Sequence, residues 1–239
     1  MKHLYALILV LFIATNIVAQ EREIIPVNWE QIRKEVDKNP QKVKDLVARL
    51  SAVNLDTTLT YQDRILAFYG QSFLTNDKEE SLKNEMYKQK DKGLMMKSLE
   101  TAKKILEINP LNLEALNHAG KILYSMANES TSNSGVTKED AKLYFNRAMR
   151  IFNTIAMTGD GSAKHPFYVT KVSDEYCFMR FFLDLWEYKM QAATSNCDVI
   201  TLNKTSKYYD QTQIYLEITR VYELERMQFL KKKKKSYSR

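Results

Sequence analysis

The stretch SLETAKKILEINPLNLEALNHAG, Ser98 to Gly120, carries two amphipathic helices and the punctuation between them. Ser98, Ala102 and Ile105 recur at steps of four and three, the spacing of one helix face. Asn109-Pro110 ends that face, because the residue before a proline is pushed out of the helical region. Leu116, Ala119, Gly120 and Leu123 then fall at steps of three, one and three. Both spacings recur: Leu66, Tyr69, Gly70 and Phe73 share the second, and Ala141, Phe145 and Ala148 share the first. Small residues at these places let antiparallel helices approach closely, with large residues filling the adjacent holes.

On the N-terminal side, Asn28 with Gln31 reads as a capping box opening a helix through Asp37. Asn39-Pro40 reads as the cap and first residue of the next helix, with Val43, Leu46, Val47 and Leu50 on one face. Thr60 precedes a helix over Tyr61 to Leu74, and the charged residues 75–92 read as a loop with a helical turn or two. Leu113 to Ala127 and Lys138 to Met157 form a further pair, joined by the small polar run NESTSNSG. Beyond Gly159 the pattern mixes. Phe167 to Val172 reads as a strand, Ser173 as the cap of a helix from Asp174 to about Met190, and Asp198 to Leu202 and Gln213 to Tyr222 as strands. The expected fold is mainly α: antiparallel helical hairpins that resemble tetratricopeptide repeats, with a small C-terminal β-hairpin or short sheet.

Residues 1–20, MKHLYALILVLFIATNIVAQ, combine a weakly basic start, an apolar run from Leu4 to Ile13 and a small residue at Ala19. This pattern predicts a Sec-type signal peptide over 1–19, cleaved to leave Gln20 first, and a secreted or periplasmic protein. No Cys follows the run, which argues against a lipoprotein. Of 36 Lys and Arg, Lys2 precedes the apolar run and six lie in the last nine residues, which leaves 29 basic against 29 acidic residues in the body. The net charge of +7 therefore belongs to the ends, and a generally basic nucleic-acid face is not expected. Residues 20–230 are expected to form one helical-repeat-like domain, its 157–230 portion mixed α and β, followed by a disordered basic tail over 231–239. The lysines Lys231, Lys232, Lys233, Lys234 and Lys235 are where contact with an anionic surface is expected.

Read together, LTYQDRILAFYGQSF (59–73), the repeat-like residues 98–124, TGDG (158–161), SDEY (173–176), NCDVITL (196–202) and IYLEITRVYE (214–223) extend over most of the mature chain. In that order they resemble a family of uncharacterised secreted proteins from Gram-negative gut bacteria, the domain of unknown function numbered forty-nine nineteen. The resemblance implies an exported protein with a tetratricopeptide-like core and supplies no catalytic residue.

The sequence offers few chemical constellations. Thr158 to Ser162 lacks the Lys-Ser/Thr of a phosphate loop and the oxygen ligands of a calcium loop, so it reads as a turn after a helix. His165, Asp174 and Glu175 are the candidates for general acid–base work, with Tyr176 nearby, although acids in a first helical turn are also ordinary caps. His118 reads as a packing or surface residue, and no metal or cofactor site is expected. Cys177 and Cys197 are expected to stay unpaired, because disulfide geometry is strict and nothing in the sequence brings them together. Tyr69, Tyr124, Tyr144 and Tyr168 are the candidates for lining a peptide groove. The expected function is a non-enzymatic binding or scaffolding protein that meets a protein or peptide of the cell envelope on a helical-repeat surface. The alternative is a secreted hydrolase-like enzyme with its site in the C-terminal mixed region.

Overall fold

Side-chain caps set most helix boundaries in the first half of the chain. The structure is a computed structural model and describes residues 23–128 and 135–237. The leader expected over 1–19 lies outside those residues. Asn28 accepts from the Gln31 amide to open α1 (Trp29–Lys38), and Asn39 accepts from Lys42 to open α2 (Pro40–Ser51), which has Pro40 in its first turn. Thr60 and Asp63 form a reciprocal capping box at α3 (Tyr61–Thr75). Thr137 and Asp140 do the same at α7 (Lys138–Ala156).

Between these lie α4 (Glu80–Asp91), α5 (Met95–Ile108) and α6 (Leu113–Asn128). The charged segment expected to be a loop is thus mostly helix. Its residues are strong helix formers, Glu80 and the pair Lys88 and Lys90 suit the two ends of the dipole, and Met86 is fully buried as its anchor.

The helices pack in antiparallel pairs, α2 with α3, α4 with α5 and α6 with α7, and α5 and α6 join the second pair to the third. The glycines found by spacing mark close approaches. A Cβ on Gly120 would lie 2.7 Å from the Phe145 ring of α7, and one on Gly70 would lie 2.9 Å from Val43 of α2. The repeat register differs from the one the spacing suggests: Gly70 meets the helix before its own, whereas Gly120 meets the helix after.

In the last third, the strand expected over Phe167 to Val172 shrinks to β1 (Phe167–Tyr168), and α8 (Val172–Phe181) begins without a side-chain cap from Lys171 or Ser173. Asp174 instead reaches back to accept from the Thr170 amide at 3.2 Å and hydroxyl at 2.6 Å. The helix stops at Phe181 because Asp184 takes a left-handed φ of 56° while Leu183 and Leu185 bond back to Phe178 and Met179. The chain then forms β2 (Tyr188–Ala193), β3 (Cys197–Leu202) and β4 (Gln213–Glu217) in a mixed sheet of order β1-β4-β3-β2. β1 runs parallel to β4, and the β2–β3 and β3–β4 pairs are antiparallel. Residues 219–222, expected to continue the strand, open α9 (Thr219–Tyr237) instead.

The lysine run lies inside α9, where a disordered tail was expected. Lysine is a good helix former, and cations near a helix C-terminus complement its dipole. Arg220 anchors that helix. It is only 1 % exposed, stacks 4.0 Å over the Phe73 ring, and donates to the Ser72 carbonyl and to Asn76 at the end of α3.

Candidate functional site

A cleft with a volume of about 1020 Å³ opens between α4, α5, α6 and α8. Each helix contributes one face. Lys83, Tyr87 and Lys90 lie at steps of four and three on α4, and His118, Lys121 and Ser125 at steps of three and four on α6. Tyr176, Cys177 and Arg180 supply the α8 wall, and Met95 and Met96 the α5 edge.

The cations of this cleft rest on rings. Lys121 Nζ lies 4.0 Å from the Phe181 centroid, Arg180 stands 5.5 Å over Tyr176, and Lys90 5.7 Å from Tyr87. Lys83 is paired with Glu80 at 2.7 Å, whereas among the described residues no carboxylate forms an ion pair with Lys90, Lys121 or Arg180. Glu114, the acidic residue of the lining, accepts from the Tyr87 hydroxyl. Partial desolvation in the cleft, and then the neighbouring Lys90 and Arg180, push the exposed Lys121 ammonium below its ordinary value. Burial, Lys90 and Lys121 push His118 down to about 4, so it is neutral at pH 7. Burial raises the Cys177 thiol to about 12, which leaves it protonated and unreactive.

A family model described as a domain of unknown function (DUF4919) matches residues 30–227. The chain belongs to the DUF4919 family. No curated protein and no solved structure matches it. Every cleft residue, from Lys83 to Phe181, falls inside the DUF4919 match, and Lys231 to Lys235 fall outside it.

The acid–base candidates of this DUF4919 chain are engaged separately. His165 faces Asp160, with Nδ1 3.9 Å from the carboxylate, in a turn where Gly161 has a φ of 81°. Asp174 is buried on Thr170, and burial raises it to about 6 against those hydrogen bonds. Glu175 is fully buried, and neither oxygen meets a donor from another residue. Burial and the adjacent Asp198 raise it to about 9, so it is protonated at pH 7. From there Gln191 donates to Asp198 at 2.7 Å and accepts from Tyr176 at 2.6 Å, which ties this acid pair to the cleft wall. None of His165, Asp174 and Glu175 lines the cleft.

The four tyrosines expected to share a groove do not line this one either. Tyr69 is fully buried and donates to the Tyr168 carbonyl at 2.8 Å, with Trp29 edge-on at 5.3 Å. Tyr124 is 49 % exposed on α6, and Tyr144 packs partly buried on α7. The rings that do line the cleft are Tyr87, Tyr176 and Phe181. Tyr87 lies in a segment whose dense charge reads as a loop, although its i, i+3 and i, i+4 spacing to Lys90 and Lys83 marks one helix face. Cys177 and Cys197 are both free thiols. Among the described residues, no group of His, Cys, Asp and Glu could hold a metal ion, and no helix is long and apolar enough to cross a membrane.

Proposed function

We propose that this protein is an exported, non-enzymatic binding protein that holds a ligand or partner of the cell envelope in the cleft between α4, α5, α6 and α8. Export rests on the leader pattern of residues 1–19. The cleft supports the binding reading through one observation: Lys90, Lys121 and Arg180 are seated on aromatic rings, without ion-pair partners among the described residues, around a cavity of about 1020 Å³. That size and mixed lining are those of a ligand site. The hydrolase-like alternative would need His165, Asp174 and Glu175 in one place, and their partners are separate.

The test is photocrosslinking in envelope extracts from a reactive group placed at exposed Met96, compared with one at exposed Val53 outside the cleft. A discrete adduct at Met96 alone is expected, and indistinguishable adduct patterns at the two positions would refute the reading. The lysines Lys231 to Lys235 are proposed as a separate contact for anionic surfaces. Removal of residues 231–239 should then abolish low-salt sedimentation with anionic vesicles, and unchanged sedimentation would count against it.

A further inference from the structure

From the cleft's chemistry we infer that its ligand is an amphipathic organic anion, an apolar body carrying one acidic oxyanion group that sits among Lys90, Lys121 and Arg180. This rests on the binding reading above and adds the class of ligand.

Three observations converge on that class. First, the body of the chain has equal numbers of acidic and basic residues, yet the cleft lining gathers Lys83, Lys90, Lys121, Arg180 and a single carboxylate, Glu114. Lys83 is neutralised by Glu80 and Glu114 is turned to Tyr87, so the remaining charge is cationic. Second, ring faces rather than carboxylates hold those cations. A ring positions a cation without cancelling its charge, so the site stays ready for an anion from outside. The mutual repulsion that Lys90 and Arg180 exert on Lys121 is what an arriving anion relieves. Third, the rest of the wall is apolar. Met95 and Met96 are 45 % and 52 % exposed, with Ile122, Val172 and Phe181 completing that side. Methionine adapts to irregular apolar bodies, and a bare inorganic anion would leave this surface wet.

Val172 and Ser173, in the first turn of α8, complete the lining. None of the three cations is buried, so replacing them leaves the core intact.

The test is calorimetric titration of the full mature chain with decanoate, decyl phosphate, decanol and inorganic phosphate. Trp186, which meets Phe181 edge-on at 5.6 Å, serves as the local fluorescence reporter. Decanoate or decyl phosphate is expected to bind one to one, at least about tenfold tighter than decanol. Inorganic phosphate should show no saturable binding. The tighter of the two anions identifies the oxyanion as carboxylate or phosphate. The double variant Lys121→Ala, Arg180→Ala should lose about tenfold in affinity for that anion while keeping its melting temperature.

Equal binding of decanol, full affinity in the double variant, or phosphate binding as tightly as the alkyl anions would each overturn the assignment. Absence of binding by all four probes would overturn it too. In every one of these cases the Met96 crosslink still decides the binding reading independently.

Discussion

His118 Nε2 lies 2.6 Å from Ser98 Oγ, and the direction of the proton between them is fixed. Ser98 has one hydroxyl proton and gives it to the Met86 carbonyl at 2.8 Å, so it can only accept from the imidazole. His118 therefore carries its proton on Nε2 and leaves Nδ1 as a bare acceptor. With its value lowered to about 4 by burial, Lys90 and Lys121, the ring stays neutral across the physiological range. The folded value lies below the unfolded one, so its contribution to stability is complete above about 6.5 and fades as the pH falls toward about 4. NMR of the ring should show the Nε2–H tautomer at pH 7 and no titration between pH 8 and 5.5; a midpoint near 6.5 would refute this.

Glu175 gives the opposite pH dependence. Its folded value near 9 exceeds the ordinary 4.5, because of burial, Asp198, Asp174 and Glu225. The stability it confers is complete below about 4.5 and is lost as the pH rises toward 9. Glu175→Gln keeps the shape and removes the ionisation. It should stabilise the fold by about 2 kcal/mol at pH 8 and change little at pH 4.5, as read by urea unfolding at both values.

Arg220 ties α9 to the end of α3 through Ser72 and Asn76, beneath the Phe73 ring. Arg220→Ala should cost about 3 kcal/mol in chemical denaturation, since it strands buried acceptors and opens a cavity. Arg220→Lys should recover only part of this, because an ammonium lacks the planar fork that serves several acceptors at once.

Gly120→Ala sets two effects against each other. Alanine gains up to about 1 kcal/mol of helix propensity, but its Cβ would lie 2.7 Å from the Phe145 ring. Overpacking of that kind costs about 1 to 3 kcal/mol, so the variant should melt lower than the parent. Adding Phe145→Leu should restore part of the loss, and strictly additive effects would show that the two residues are not in conflict.

How much of this was readable beforehand depended on the range of the interaction. The caps at Asn28, Asn39 and Thr60 act within three residues, so the sequence displays them directly. The Leu116-Ala119-Gly120-Leu123 spacing revealed a close helix contact because the missing Cβ of Gly120 makes room for the Phe145 ring of α7. α4 stayed hidden because Met86 is its one fully buried residue and its other faces are charged. The cleft stayed hidden for a different reason. Its cations lie at positions 90, 121 and 180 on three helices, and a neutral total conceals a local excess. The pairing of Glu175 with Asp198 likewise joins a helix to a strand that no local pattern connects.

A string of stacked hairpins can ordinarily lengthen, because each end offers a face to one more unit. Here Trp29 on α1 donates to Glu217 at 2.9 Å, and Arg33 pairs with Glu223 on α9. These two contacts clasp α1 to β4 and to α9, at positions 188 and 190 residues further along the chain. Duplicating a hairpin would have to break that clasp, whereas a changed residue on the cleft wall leaves it untouched. New specificity in this architecture should therefore arise by substitution inside a body of fixed size.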